Sequence, residues 1–259
     1  MSIFDVDDNI DNGIEYDVAG PKRKSVIQYN YENVPEKVNY CEQLSKVDVY
    51  CHPYISGLPL FYEIRHRIKV VFSGYRRTYK DKSDDPSLKD ILVLGEYVPS
   101  HPDFGECVII YINNIQESCT PQIDFDTLML ATYIHELYHA YFRSNLDVAL
   151  DIEESLAEFG SLFCLEAMAT MGVINMNYVK SYLSEVENKK TKLPHYSFGA
   201  YIYDKHRRKI DWGLGQLLDS YRDKVQNSDL TDLMNFQLND VDNWGDAYDK
   251  LCKALNYVD

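Results

Sequence analysis

Several things are missing from this chain, and each absence excludes something. No apolar run approaches the roughly 20 residues that a membrane helix requires, so no membrane span is expected. The opening MSIFDVDDNIDNG is acidic and has no basic-then-apolar leader, so a cytoplasmic setting is the expectation. Basic charge is scarce: 26 Lys and Arg stand against 41 Asp and Glu, a net charge of −15. Such a surface repels phosphate backbones, and nucleic acid is not an expected partner. The two basic clusters, Lys205–Lys209 and Arg65–Arg67, are short and interleaved with apolar residues, as on a solvated helix face. There is no C-x-x-C pair. The six cysteines (Cys41, Cys51, Cys107, Cys119, Cys164, Cys252) are scattered, and without an export signal they read as reduced and buried. No internal repeat or low-complexity stretch is present.

What remains is an ordinary soluble composition. The 259 residues are 45% apolar and 26% charged, enough for one large domain or two small ones. The 22 tyrosines suit a polar groove or an interface without naming one. Residues 1 to about 40 are polar and turn-rich, so residues 1–45 read as an arm or extension and 46–259 as the main domain. Val47–Tyr50 alternates like a short strand. Residues 60–79 carry Phe61, Ile64, Ile68 and Phe72 at helical spacing, which predicts a helix interrupted near Gly74. Ile91–Val98 and Glu106–Ile112 read as an antiparallel pair of strands around a loop at Pro99–Gly105. From Asp126 onward the pattern is helical, over about 126–143, 151–171, 175–188, 198–226 and 243–257. Short strands followed by a run of helices predict an α+β fold, with a small antiparallel or mixed sheet ahead of a mostly helical region.

The informative segment is Ala131–Ala140, which contains His135-Glu136-Leu137-Tyr138-His139. Histidines at i and i+4 share one helical face, so both imidazoles can reach one metal ion. Glu136 lies about 100° round the helix from His135, where it can take a proton from metal-activated water without being a ligand. Three specified positions match by accident in about one such chain in a hundred, mostly on exposed helices. Here Leu130, Ile134, Leu137, Tyr138 and Tyr141 form an apolar stripe, and Leu128, Ala131 and Phe142 flank the histidine face. A helix apolar on most sides is central. Buried histidines need partners, and a metal satisfies both.

A tetrahedral catalytic zinc needs a third protein ligand and an open position. The next helix offers Glu154 and Glu158, i and i+4 on one face beside the stripe Ile152, Leu156, Phe159, Phe163. One carboxylate can ligate, and the other can accept the free ring N–H of a ligand histidine. The alternative for Glu154 is a capping box with Asp151 as N-cap. Glu153 points elsewhere on the wheel and reads as a first-turn partner of the helix dipole.

H-E-x-x-H followed by E-x-x-A-E resembles the gluzincin group of zinc metallopeptidases, over roughly residues 90–215. The resemblance implies Zn²⁺ held by His135, His139 and Glu154, Glu136 as general base, Glu158 supporting a ligand histidine, and a zincin-like catalytic region. The fourteen-residue gap between His139 and Glu154 implies a compact connection. Tyr196 and Gly199 match the Y-x-x-G segment of aminopeptidase-like members, which implies Tyr196 as an oxyanion donor; His195 and Tyr201 are rivals for that role. The G-x-M-E-N signature of the aminopeptidases is absent, with Gly95-Glu96-Tyr97 only superficially similar. The resemblance further implies an edge strand beside the metal for peptide pairing, in the position of Glu106–Ile112. His52, His66, His101 and His206 have no ligand spacing and read as ordinary, Trp212 and Trp244 as anchors of C-terminal helices, and Cys164 as a small buried hydrophobe.

The expected function is therefore hydrolysis of a peptide or protein substrate through metal-activated water. Two alternatives stand beside it: a metallopeptidase-like binding or regulatory module that no longer cleaves, and a zinc hydrolase acting on a non-peptide bond. Substrate preference and oligomeric state have no signature in the chain.

Overall fold

The computed structural model describes residues 13–16, 25–32, 67–78, 91–142, 150–188, 193–207, 213–227 and 243–257, with Leu44, Val47, Ile64, Thr231, Leu233, Phe236 and Leu238 between them. The fold is α+β. Five strands, β1 (Gly13–Tyr16), β2 (Ser25–Glu32), β3 (Lys69–Ser73), β4 (Gly95–His101) and β5 (Gly105–Tyr111), form one sheet in the order β1-β2-β3-β5-β4. The sheet is mixed: β2–β3 and β3–β5 are parallel, while β1–β2 and β4–β5 are antiparallel. Two extended segments from residues 1–45 thus join the sheet.

The helical reading of residues 60–79 is corrected by β3. Val70, Val71 and Phe72 are all buried, as expected of a strand enclosed between two neighbours with both faces covered. Ile64 is helical, while most of 60–66 lies outside the described residues. Val47 is helical too, and the rest of the proposed strand 47–50 lies outside them. The antiparallel hairpin is present but shifted: β4 runs through Pro99 to His101, with an irregular register between Val98 and His101. A turn with Gly105 at φ 71° joins it to β5. β5 ends at Tyr111 because Ile112 opens a short helix, α1 (Ile112–Ser118), which the sequence pattern did not suggest.

Helix α2 (Phe125–Phe142) carries the H-E-x-x-H segment. Asp124 caps it, its Oδ1 accepting the N–H of Thr127 at 2.9 Å. Every residue from Thr127 to Phe142 is buried, so α2 is the central helix of the domain. One face of the sheet, through Val70, Phe72, Val108 and Ile110, joins the main core with α2. The opposite face packs Val71, Val93, Cys107, Ile109 and Tyr111 into a smaller cluster. Helices α3 (Leu150–Thr170) and α4 (Met176–Asn188) follow as expected. The single helix expected over 198–226 is instead two, α5 (Pro194–His206) and α6 (Gly213–Gln226). Helix α5 starts at Pro194 because a first-turn proline forfeits no intrahelical hydrogen bond. Helix α7 (Trp244–Ala254) closes the chain, capped by Asn243. Trp244 packs on Phe198, ring centroids 5.5 Å apart; Trp212 lies outside the described residues.

Candidate metal centre

Two helices build the centre. Helix α2 presents His135 and His139 on one face, their Nε2 atoms 3.1 Å apart. Helix α3 crosses beside it and turns Glu154 towards both: Oε2 lies 3.1 Å from Nε2 of His135, and Oε1 lies 3.7 Å from Nε2 of His139. A tetrahedral zinc with ligands at 2.0–2.2 Å separates its donor atoms by about 3.3–3.6 Å. The observed 3.1–3.7 Å spacings therefore fit one small cation, and His135, His139 and Glu154 are the group among the described residues whose donor atoms could hold one. With Glu154 turned to the histidines, the capping-box alternative for it is not realised.

The other ring nitrogens are spoken for. Nδ1–H of His135 donates to Glu158 Oε2 at 3.2 Å, and Nδ1–H of His139 donates to Glu153 Oε1 at 2.8 Å. A carboxylate accepts only, so each Nδ1 carries a proton, and Nε2 is the nitrogen through which each ring would ligate a metal. Glu153 is a correction to the sequence reading. It lies in the first turn of α3 as expected, but it does not point away from the site: its carboxylate is buried, with its second oxygen accepting the Tyr221 hydroxyl of α6 at 2.9 Å. Glu158 is fully buried, and burial together with the charge of Glu158 holds the Tyr182 phenol well above its ordinary pKa.

The electrostatics favour positive charge at this point. Burial alone would lower the pKa of His135, but the hydrogen bonds to Glu154 and Glu158 outweigh it and push the value up to about 9. His139 is likewise raised against its burial, by the charge of Glu154 and the bond to Glu153. Glu154, despite burial, is held well below the usual carboxylate range, first by the charge of His139. Two imidazoles that retain protons in a buried place mark a site whose carboxylates require a cation.

Glu136 stands beside the ligand group but outside it. Its Oε2 accepts the backbone N–H of Tyr97 on β4 at 2.7 Å. Gly95 permits this approach: a Cβ there would lie 2.5 Å from Thr132 Cγ2 and 2.9 Å from Glu136 Cγ. Tyr196, in the first turn of α5, stacks on the His135 ring with centroids 5.6 Å apart and planes 18° apart. Its neighbour His195 packs on Tyr196 at 4.7 Å. Burial lowers the pKa of His195, and its Nε2 is enclosed with no hydrogen-bond partner. Gly199 lets α5 meet α3, since a Cβ there would fall 2.6 Å from the Ser155 carbonyl oxygen and 2.8 Å from Glu158 Cβ.

Comparison with protein-family models, curated proteins and solved structures returns no match. The site's own geometry therefore carries the argument.

The edge strand expected at Glu106–Ile112 is corrected. That segment is β5, enclosed between β3 and β4, and among the described residues the strand at the end of the sheet, beside Glu136, is β4. The residues read as ordinary lie elsewhere. His101 stacks on Phe104, and His206 hydrogen-bonds the Tyr248 hydroxyl at 2.8 Å. Lys205 sits over the Tyr248 ring and Arg207 pairs with Asp204. Cys107 and Cys119 are free thiols, and Cys164 and Cys252 are buried. His52, His66, Cys41 and Cys51 lie outside the described residues. Among the described residues no helix is long and apolar enough to cross a membrane.

Proposed function

We propose that the protein is a zinc-dependent peptidase of gluzincin type. One arrangement carries this reading: two Nε2 atoms and the Glu154 carboxylate converge, both Nδ1 atoms are anchored by carboxylates, and a further carboxylate, Glu136, stands next to the group without joining it. A purely structural metal site needs a full set of ligands and has no use for an adjacent base. When bound, zinc supplies Lewis acidity and makes water acidic enough to deprotonate near neutral pH.

The chain's own residues then divide the work. His135, His139 and Glu154 hold the ion, while Glu158 and Glu153 fix the tautomer and tilt of the two rings. Glu136 accepts the proton of the attacking water and returns it to the departing amine. The Tyr97 N–H of β4 holds that carboxylate in place. Tyr196, which stacks on the His135 ring, would donate its phenolic hydrogen to the oxygen that gains charge as the peptide carbonyl is attacked; the Nε2 of its rival His195 is enclosed.

The test is Glu136→Gln in the full chain, assayed against a broad peptide library with and without chelator. The expected result is unchanged zinc content and loss of cleavage by at least a hundredfold, the order of a general-base contribution. Undiminished turnover by the variant removes Glu136 from this role. A wild-type protein that holds zinc yet cleaves nothing in the library is instead the metal-binding module.

A further inference from the structure

His139 is held by a carboxylate, and that carboxylate is held in turn by a helix that supplies no ligand. Glu153 accepts the His139 Nδ1–H through Oε1 at 2.8 Å and the Tyr221 hydroxyl through Oε2 at 2.9 Å. All three side chains are buried, so a lost donor is not simply replaced by bulk water. Burial, with the charge of Glu153, keeps the Tyr221 phenol far above its ordinary pKa, so it stays a donor. Its ring is fixed as well: Tyr221 meets Phe142 edge to face, with centroids 4.9 Å apart and planes at 86°. Phe142 lies three residues after His139, on the same face of α2. The phenol is thus braced by the helix whose histidine it reaches through Glu153.

Helix α6 also grips α2 at a second point. The Tyr141 hydroxyl donates to Asp219 and accepts from Arg222, whose guanidinium lies over the Tyr141 ring at 5.0 Å. That contact docks the helix through groups other than Glu153, and a phenylalanine at 221 would fill the same space against Phe142. What the hydroxyl adds is the bond to Glu153. A carboxylate bonded at one oxygen can still turn about its own axis. Bonded at both, its plane is set, and with it the direction in which His139 points Nδ1 and therefore Nε2. Resting on the zinc reading above, we propose that Tyr221 is a positioning residue of the metal centre: through Glu153 it fixes the tilt of His139, so that α6 helps set how tightly zinc is held.

The test measures zinc affinity of the full chain by competition with a chromophoric chelator, for the wild type, Tyr221→Phe, Asp219→Asn, Glu153→Ala and the double variant Tyr221→Phe/Glu153→Ala. Tyr221→Phe is expected to bind zinc about three- to tenfold more weakly, less than the 10–100-fold lost when a partner in direct contact with a ligand is removed. Asp219→Asn loosens the other grip of α6 and is expected to lower the melting temperature while zinc affinity stays within about twofold of the wild type. Once Glu153 is alanine the hydroxyl has no carboxylate to hold, so the double variant should match Glu153→Ala within about twofold. The visible absorption of the cobalt(II)-substituted protein, which reports ligand geometry, should shift in Tyr221→Phe and keep its wild-type form in Asp219→Asn. A Tyr221→Phe protein that melts earlier but keeps the wild-type zinc affinity and cobalt spectrum makes the phenol a packing residue and overturns the proposal. Equal losses of affinity in Asp219→Asn and Tyr221→Phe overturn it too, because docking of α6 would then account for both. So does a double variant whose losses simply add, since the phenol would not be acting through Glu153. If Glu153→Ala does not fold, the comparison of Tyr221→Phe with Asp219→Asn decides alone. Cleavage is not the readout: a chain that holds zinc but hydrolyses nothing ends the peptidase reading and leaves this inference standing, whereas a chain that takes up no zinc ends both.

Discussion

Glu153 gives the sharpest test of how the centre is held. Its two oxygens accept from His139 Nδ1 at 2.8 Å and from the Tyr221 hydroxyl at 2.9 Å, both in buried surroundings. Glu153→Ala removes both acceptors. Without them the His139 ring loses the partner that fixes its tautomer, and the expected loss of zinc affinity is 10–100-fold, about 1.4–2.7 kcal/mol. The metal-free protein loses stability too, since two buried donors are left without partners at about 1–3 kcal/mol each. Glu153→Gln keeps an acceptor but gives up the charge, so its loss of affinity should be the smaller of the two. The competing account makes Glu153 a first-turn dipole partner of α3. That role is worth about 0.3–1 kcal/mol of stability and leaves zinc affinity untouched. Competition against a chromophoric zinc chelator separates the two, with thermal melts of the metal-free variants run alongside. Glu153→Ala binding zinc as tightly as the wild type would refute the positioning argument.

Two further outcomes are expected. Gly95→Ala places a methyl 2.5 Å from Thr132 Cγ2 and 2.9 Å from Glu136 Cγ; overpacking of this kind costs about 1–3 kcal/mol, so the melting temperature should drop and turnover fall further than zinc content, as read by melts, metal analysis and peptide hydrolysis. The pH dependence follows from His135, whose pKa in the metal-free fold is raised to about 9. At pH 7 this ring carries a proton that zinc must displace, so calorimetry in buffers of different ionisation enthalpy should show proton release at pH 7 that diminishes above pH 9, and affinity that rises with pH up to that point. By the same linkage, the stability that His135 lends the metal-free protein is fully present below its ordinary pKa of about 6.5 and is lost as pH rises through about 9.

The parts of the centre that follow from helical repeat were legible in the sequence. His135 and His139 share a face because they are four apart, and so do Glu154 and Glu158; the burial of α2 followed from apolar residues on most of its sides. Glu153 was not legible, for a definite reason. It lies about 100° round the helix from Glu154, which on a wheel places it off the site. The imidazole of His139 spans that angle, its Nε2 near Glu154 and its Nδ1 on Glu153. Tyr221, which completes the arrangement, comes from 68 residues away, a distance over which no local pattern speaks. Strand β3 was misread because Phe61, Ile64, Ile68 and Phe72 recur at helical spacing, and the short apolar run Val70–Phe72 among them is one that periodicity cannot assign between a covered strand and a buried helix. The edge strand was misplaced because adjacency in sequence to α2 was taken for adjacency to the metal group. The chain passes through β5, inside the sheet, on its way from β4 to α2.

The close approaches that make the centre possible are set by the smallest side chains. Glu158 can receive the His135 N–H in full burial only if α5 seals α3 from above, and Gly199 is where the helices meet, a Cβ there falling 2.6 Å from the Ser155 carbonyl oxygen. Gly199 lies three residues after Tyr196, so one turn of α5 both covers the carboxylate behind His135 and lays a phenol against the face of the same ring. Gly95 plays the matching part on the other side, bringing β4 close enough for the Tyr97 N–H to reach Glu136. A Tyr-x-x-Gly segment is weak as a pattern of letters. In this fold its two fixed positions act on one histidine, the tyrosine through its ring and the glycine through Glu158, and that shared target is the physical reason for their spacing.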